Sequence, residues 1–593
     1  MLTRLELYGT EEAETTTQTF AIGALSFEFA GGEVRALRFG GVEMLRSIAY
    51  LARDRDWGTP APAITGLTVV EQPDMLRICW RATCSNPEGE RIDYAAAIDA
   101  TATTLDFVVE AEARDDFTTN RVGFCILYPA DLAGSPLTVT RGDGRVEESQ
   151  FPVLVDPWQP FTDIRALTHV QGANTIDCRL LGETFEMEDQ RNWSDASYKT
   201  YSRPLSLPWP YVMPAGTHSR QAVSLRIAGP PPAPARADGP VMVEIGEAIG
   251  AMPRIGIAIT PDDARSSAAN PASIAALGVQ DLLLGFDASA GQGEAELKAL
   301  AQIAERSSAR RTLECVIAAD GDLDAELQRI AGQVRAAGLT LDAIAVFPKP
   351  DLQSTPPGSA WPDCPPLEQI YAAARRAFPD LQLGGGMFSY FTELNRKRVP
   401  AESLDFITHA TCPIVHAADD RSVMESLGAI PHILRSARTI YPGTPYRLGP
   451  ITIGMRHNPY GSRTMPNPDR QRLPMAMVDP RQDGRFAAAW TIGYAAATEQ
   501  ARLDTLTLGA LTGPLGAIGD SGPRPVFEAI RQLAALAGRP RYACVVSRPG
   551  HVAALCAGDS LLLANLADQS CPVRVVDRSI MLEAFGLLRV APR

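Results

Sequence analysis

The sequence lacks the short motifs that mark most zinc-binding and redox proteins. None of its ten cysteines forms a C-x-x-C pair, which argues against a zinc ribbon or a thioredoxin-type site. Several cysteines stand inside apolar runs, as Cys125 does in GFCILY and Cys315 does in LECVIA. A reduced thiol in such a run packs as a small hydrophobic group. We therefore expect reduced cysteines that serve packing.

Basic clusters and long apolar segments are also missing. The chain has 55 Lys and Arg against 69 Asp and Glu, a formal charge of −14, which disfavours nucleic acid and anionic lipid as partners. The first twenty residues show no basic segment followed by an apolar core, and no stretch is long enough to span a bilayer. A cytoplasmic protein without nucleic-acid or membrane partners is predicted. No heptad pattern indicates an oligomeric state.

The periodicity of hydrophobic residues changes along the chain. Its length of 593 residues fits two to four domains. Residues 1–228 consist of short runs that alternate with period two, such as DMLRICWRATC, separated by Gly, Pro and Asp. This pattern predicts an N-terminal antiparallel β-sandwich. Five prolines in AGPPPAPARADGP then predict a linker over residues 229–240.

Apolar strand-like runs alternate with Ala- and Leu-rich amphipathic stretches in residues 241–538. Eight such units predict a parallel (β/α)₈ TIM barrel; a doubly wound sheet is the alternative, but no G-x-G-x-x-G follows the first run. Period-two alternation returns in residues 539–593 and predicts a small C-terminal antiparallel β domain. The eight runs are residues 254–260, 281–287, 312–318, 343–349, 381–387, 404–410, 446–454 and 505–511.

Polar residues that follow these runs are the first candidates for a site, because the active site of a TIM barrel lies at the carboxyl ends of its strands. Glu393 follows the fifth run, and His416 and Asp419 follow the sixth. The candidate general base is either Glu393 or a His416–Asp419 pair in which the carboxylate orients the imidazole. The alternatives are a solvated or helix-capping imidazole, and aspartates that cap a helix near Ser422, an interpretation favoured for Asp420.

Other residues supply candidates for oxyanion stabilisation and substrate binding. A cation beside the carbonyl would stabilise a tetrahedral oxyanion, and amide or imidazole groups would hold substrate hydroxyls. The oxyanion candidates are Lys349, Arg456 and, from the first domain, Lys199; the rim candidates for substrate binding are Asn395, His409 and Asn458.

One segment of the first domain, FEMEDQRNWSDASYKTY, groups charged, amide, indole and phenol side chains without strand alternation. This composition suits a polyol pocket, since carboxylates and amides bind vicinal hydroxyls and an indole covers the apolar face of a sugar. We expect the segment to reach over the barrel mouth; a polar loop at a domain interface is the alternative, with Lys199 paired to Glu188. Its candidate substrate-binding residues are Glu188, Asp189, Arg191, Asn192 and Trp193.

That segment and three others resemble the D-apionate lactonases; the other three are GGGMFSYFTELNRKRVP, PIVHAADDRSVMESL and ITIGMRHNPYG. The resemblance covers nearly the whole chain. It implies hydrolysis of D-apionolactone to D-apionate in the breakdown of apiose. It also implies an N-terminal β domain, a TIM barrel and a C-terminal β domain. It assigns no catalytic role to any single residue.

The leading hypothesis is therefore hydrolysis of a sugar lactone by base-activated water, without a covalent intermediate, because no G-x-S-x-G elbow is present. No cofactor is predicted, and a divalent metal stays open although no H-x-H or H-E-x-x-H spacing occurs. A glycoside hydrolase is the alternative, but the fourth run ends in FPKP and the seventh in ITIGMRH, without the glutamates of the large TIM-barrel clan. A catalytically silent carbohydrate-binding protein is the third hypothesis.

Overall fold

The computed structural model describes residues 2–232, 239–267 and 271–592, so residues 233–238 of the predicted linker lie outside it. The chain divides into two compact units. The first, here the barrel unit, comprises residues 1–12, 192–195 and 239–593. The second, the N-terminal unit, comprises residues 13–191 and 196–238. Each unit is described separately below.

The N-terminal unit is built on one curled antiparallel sheet of sixteen strands. Strand Met75–Ser85 shows why the sequence folds this way, because its buried and solvent-facing residues alternate along its length. Phe29 and Trp80 lie on the second strand from either end of the main strand order, yet their rings are 5.1 Å apart. The sheet therefore closes over a single hydrophobic core, and the predicted antiparallel β domain is confirmed.

The strands of this sheet are as follows. They are Gln18–Ile22, Leu25–Ala30, Glu33–Phe39, Val42–Arg53, Ala63–Gln72, Met75–Ser85, Arg91–Ala100, Thr104–Ala113, Arg121–Pro129, Pro136–Arg141, Val146–Gln150, Phe161–Gln171, Asn174–Leu181, Phe185–Asp189, Ser197–Ser202 and His218–Ala228. A separate pair is formed by Phe117–Thr119 and Tyr211–Met213. The 3₁₀ turns are Ala130–Leu132 and Gln190–Trp193, of which the second runs into the barrel unit.

Eight parallel strands close into a barrel at the centre of the other unit, which confirms the predicted TIM barrel. Their nearly continuous burial reflects a sheet covered on its outer face by helices and filled on its inner face by side chains. Barrel strands 1 to 8 are Arg254–Ile259, Asp281–Asp287, Arg310–Ile317, Ala343–Pro348, Gln382–Tyr390, Phe406–Thr411, Tyr446–Ile451 and Thr505–Ala510.

Helices cover the barrel, and some of them begin at a polar side-chain cap. Asp322, for example, accepts a hydrogen bond from Ala325 N at 3.0 Å at the start of the helix that follows strand 3. The helices of this unit are Arg4–Tyr8, Pro261–Ser267, Pro271–Leu277, Glu294–Ala304, Leu323–Ala336, Leu367–Ala377, Phe391–Lys397, Asp420–Glu425, Ile430–Ile440, Arg485–Ala497 and Pro525–Ala534. Its 3₁₀ turns are Ala288–Ala290, Lys349–Leu352, Ala401–Ser403, Ser426–Ala429 and Pro480–Asp483. Within the described residues no helix is both long and apolar enough to cross a membrane.

A seven-stranded, mostly antiparallel sheet completes the barrel unit and confirms the predicted C-terminal β domain. Strand Val241–Ala251, which the sequence assigned to the barrel domain, belongs to this sheet. It pairs antiparallel with Pro540–Val546 and parallel with Cys571–Val575. The other strands are Val552–Ala557, Ser560–Asn565, Arg578–Leu582 and Leu587–Val590; a short pair elsewhere is Ile518–Gly519 with Gly522–Pro523.

Glycines in strand 5 allow the barrel to close tightly, as the GGG run suggests. A Cβ added to Gly386, whose φ is 141°, would lie 1.9 Å from the carbonyl oxygen of Thr408 in strand 6. Gly386→Ala is therefore expected to lower the free energy of unfolding of the barrel unit by about 1–3 kcal/mol, measured by urea denaturation. The matched control is Gly332→Ala, in a helix with open space around the added methyl, which is expected to stabilise by up to about 1 kcal/mol. Equal effects of the two substitutions would contradict this explanation.

Candidate active site

A carboxylate–imidazole pair lies at the carboxyl-terminal rim of the barrel. His416, five residues beyond the end of strand 6, places its Nδ1 2.7 Å from Oδ2 of Asp195. The two side chains retain 18% and 17% of their exposure, so the imidazole is held firmly and still reaches solvent. A carboxylate on Nδ1 fixes the tautomer and leaves Nε2 as the basic nitrogen, the arrangement of a general base.

Trp193 and Arg396 lie beside this pair. The Trp193 ring stands edge-on to the His416 ring, with centroids 5.5 Å apart. The Arg396 guanidinium lies over the Trp193 ring at 5.2 Å and its Nη1 donates to the Thr355 carbonyl at 3.3 Å. The rim thus joins a base, an apolar indole surface and a fixed cation. Here we call Asp195, His416, Trp193 and Arg396 the rim cluster.

Asn192 connects residues 192–195 to the helix that follows strand 5. Its carbonyl accepts a hydrogen bond from the Thr392 hydroxyl at 2.8 Å, and its Oδ1 accepts one from Asn395 Nδ2 at 3.0 Å. These contacts bring together Asn192, Trp193, Asn395 and His416, four of the residues that the sequence proposed for the site. They hold the backbone that carries Asp195 and Trp193.

Glu393 lies beneath the rim and is only 4% exposed. Its Oε2 accepts a hydrogen bond from the backbone N of Tyr390 at 3.3 Å at the start of helix Phe391–Lys397. Burial raises the pKa of this carboxyl, against a smaller opposing effect of Arg396. These surroundings are those of a buried helix-capping group, and they favour His416 over Glu393 as the base.

The helix cap expected in this segment is Asp419 and not Asp420. Asp419 is the N-cap of helix Asp420–Glu425, where it accepts a hydrogen bond from Ser422 N at 3.0 Å. Asp420 instead binds Arg472, at 2.8 Å, and Arg481, at 3.2 Å. The interpretation of Asp420 as the cap is thus wrong.

His409, a candidate for substrate binding, is a core residue. It is completely buried, with its Nε2 2.5 Å from the Tyr446 hydroxyl and its Nδ1 2.8 Å from the Ala410 carbonyl. Burial lowers the pKa of this imidazole to about 4, so the ring is neutral at physiological pH. Both ring nitrogens have protein partners, and the structure offers neither to a substrate.

The remaining rim candidates are Arg456, Asn458 and Lys349. Arg456 forms a bidentate ion pair with Glu314, at 2.7 and 2.9 Å, and also donates a hydrogen bond to the Phe388 carbonyl. Asn458 holds its own loop, donating to the Arg463 carbonyl at 2.8 Å. Lys349 is exposed at the start of a 3₁₀ turn.

Four charged residues of the polar segment form two ion pairs within the N-terminal unit. Lys199 and Glu188, on adjacent strands, form an ion pair, as the alternative interpretation of Lys199 proposed. Arg191 and Asp189 form a second pair at 2.6 Å, and both side chains have no exposed surface. This part of the polar segment is a buried network inside the unit.

A cavity of about 390 Å³ opens at the carboxyl ends of barrel strands 1 to 3, within the barrel unit. Its wall carries Asp263, Asp287 and Glu314, with Arg456 and Thr452 from beyond strand 7. No group of three or more His, Cys, Asp or Glu side chains in the described ranges is placed to hold a metal ion.

Comparison with known proteins identifies the family of this chain. The model of the D-apionate lactonase N-terminal domain matches residues 5–230, and that of the D-apionate lactonase TIM barrel domain matches residues 255–538. A D-apionate lactonase from Brucella anthropi is 46% identical over 595 residues, which cover 98% of either chain. The chain belongs to the D-apionate lactonase family.

Two solved structures that match this family member are more distant from it in sequence. A β-arabinopyranosidase is 11% identical, with 97% of this chain and 96% of that chain covered and a TM-score of 0.33. A GH30 endoxylanase from Clostridium papyrosolvens C71 is also 11% identical, with 56% and 86% covered and a TM-score of 0.35.

Sequence reasoning about this D-apionate lactonase family member missed several polar groups. Asp195 stands in the segment singled out, but no pattern shows that it meets a histidine 221 residues away. Asp287 ends strand 2, and Glu314 interrupts the apolar strand 3. The signal for these two was present, because a charged residue on a barrel strand near its carboxyl end is typical of a site.

Proposed function

We propose that this chain hydrolyses D-apionolactone to D-apionate and that the Asp195–His416 pair supplies the general base. The activity is supported by the relative that shares 46% of its residues over nearly the whole chain. The role of the pair is supported by its 2.7 Å hydrogen bond at the barrel rim, where TIM-barrel enzymes place their chemistry. That hydrogen bond is the observation on which the mechanism rests.

The first step is attack of water on the lactone carbonyl. His416 Nε2 takes one proton as the water oxygen bonds to the carbonyl carbon, and the carbonyl oxygen becomes an oxyanion. Asp195, on Nδ1, stabilises the imidazolium that forms and fixes the tautomer in which Nε2 is the basic nitrogen. The nearby guanidinium of Arg396 is the fixed positive group that we assign to the oxyanion.

The second step opens the ring. The tetrahedral intermediate re-forms its carbonyl while the bond from carbon to the ring oxygen breaks, and the imidazolium returns its proton to that leaving oxygen. The product is a hydroxy acid that ionises at neutral pH and releases one proton. His416 ends in its starting state, so no covalent intermediate is required.

Substrate contacts are assigned to the polar and indole groups around the pair. Trp193, which is 8% exposed, is the proposed apolar contact, while Asn192 and Asn395, each 1% exposed, are joined by a hydrogen bond and position the segment that carries Trp193. Rigid groups of this kind bind a ring with little loss of conformational entropy. Three other cations are weaker candidates for stabilising the oxyanion. Lys349 is exposed, and Lys199 and Arg456 are already engaged in ion pairs.

A pH-stat assay tests the reaction directly, since each turnover releases one proton. We expect base uptake with D-apionolactone, slower uptake with other pentonolactones, and no release of nitrophenol from aryl glycosides. Parallel runs with and without a chelator report whether a metal is needed. Turnover of aryl glycosides with inert lactones would overturn the proposal in favour of a glycoside hydrolase.

A further inference from the structure

The barrel cavity carries chemistry that the rim cluster does not use. Its volume of about 390 Å³ is within the ~300–1,000 Å³ usual for small-molecule sites. Phe286 and Phe388 contribute apolar surface, and Thr452 contributes a hydroxyl although the residue is only 5% exposed. Within the described part of the chain, no hydrogen bond engages that hydroxyl. It therefore has a hydrogen bond to offer a ligand.

Asp287 is the best placed acceptor on this wall. Its Oδ1 accepts from the Ser289 hydroxyl at 2.6 Å and from Ala290 N at 3.0 Å, which fixes the carboxylate at the end of strand 2. Among the described residues, no hydrogen bond reaches its Oδ2. A held carboxylate with a free oxygen is an efficient acceptor for a ligand hydroxyl, because no side-chain ordering is needed on binding.

The charge on the wall is predominantly negative. Asp262, Asp263, Asp287 and Glu314 bring four carboxyl groups, whereas Arg456 is the positive group and is already paired with Glu314. Burial raises the pKa of Asp263, which means that the surroundings disfavour its anion. The same surroundings would disfavour a carboxylate on a ligand.

We infer that this cavity binds a neutral polyhydroxylated ring and discriminates against a sugar-acid anion. Carboxylate oxygens accept hydrogen bonds from ring hydroxyls, the phenyl groups cover apolar C–H faces, and the negative wall repels a ligand that has become anionic. In the context of the proposed function, on which the identity of the ring rests, the pocket would bind the lactone and exclude the aldonate that hydrolysis at the rim cluster produces.

Direct binding, measured without turnover, tests the inference. The probes are 1,4-anhydroxylitol, a neutral ring without a carbonyl, and D-xylonate, an open-chain anion, each titrated into the full chain by calorimetry. We expect the wild type to bind the neutral ring about tenfold or more tightly than the anion. Asp287→Asn is expected to reduce this preference at least about fivefold, since it removes one charge within a few ångströms of the ligand.

The substitution is chosen to preserve the fold, because Asn is as good a cap as Asp for the turn that follows residue 287. The control is Asp559→Asn, whose side chain is 83% exposed in the C-terminal sheet and whose removal should leave both affinities unchanged. Equal binding of the two probes by the wild type, or an unchanged preference in Asp287→Asn, overturns the inference. If the protein prefers the neutral ring over the anion but hydrolyses no lactone, the proposed function is rejected while the inference about the pocket holds.

Discussion

His416→Gln is expected to lower kcat for D-apionolactone by about 10²–10⁴-fold, the range that a positioned general base contributes. Glutamine keeps a polar group of similar length but cannot take a proton from water near neutral pH. KM is expected to change far less than kcat, because the proton transfer occurs only in the transition state. Initial rates in the pH-stat across a range of substrate concentrations separate the two constants.

Asp195→Asn is the companion variant. An amide at residue 195 can donate to Nδ1, which would leave the proton on Nε2 and remove the base. We expect a loss of kcat comparable to that of His416→Gln, and a double variant little slower than either single one, because the pair acts as a unit. His551→Gln, at an exposed histidine of the C-terminal sheet, is the matched control and should keep wild-type kinetics. Full activity in His416→Gln would remove the proposed mechanism.

Much of the fold can be predicted from the sequence, because the patterns that indicate its strands are local. Each barrel strand is a continuous apolar run such as AIAVFP, and burial on both faces of a parallel sheet requires such a run. Sequence position places strand Val241–Ala251 with the barrel domain, because the strand follows a proline-rich segment and directly precedes the first barrel strand. Its partners, at 540–546 and 571–575, are about 300 residues away, and no local pattern reports them.

Only part of the candidate site can be predicted from the sequence, because composition does not show which side chains form hydrogen bonds with each other. His416, Asn192 and Trp193 were selected as polar or aromatic groups near a barrel rim, and they do come together with Asn395. His409 follows the same rule but points into the core, where Tyr446 satisfies it. A rim position in the sequence therefore identifies candidates, and the direction of each side chain decides among them.

Arg191→Met is expected to lower the free energy of unfolding of the N-terminal unit by about 3–5 kcal/mol, because it leaves the Asp189 carboxylate buried without its cation. Arg191 Nε lies 2.8 Å from Asp189 Oδ1, and Nη2 lies 2.6 Å from Oδ2 and 2.8 Å from the Pro152 carbonyl. The guanidinium also covers the Tyr198 ring at 4.4 Å. Urea denaturation followed by tryptophan fluorescence measures the loss.

The chain provides its own control in Asp177 and Arg179, which have the same spacing and a 2.8 Å ion pair, but with the Arg179 side chain 68% exposed. Arg179→Met should lower the free energy of unfolding by no more than about 1 kcal/mol. A solvent-exposed ion pair is only slightly more stable than the two hydrated charges apart. The contrast tests how this polar segment is used. If Arg191 contacted the substrate, as the composition of the polar segment suggests, Arg191→Met would raise KM. Its free energy of unfolding would then stay near that of Arg179→Met. Loss of stability in Arg191→Met alone identifies the Asp189–Arg191 pair as an internal support of the strand that leads to Asn192, Trp193 and Asp195.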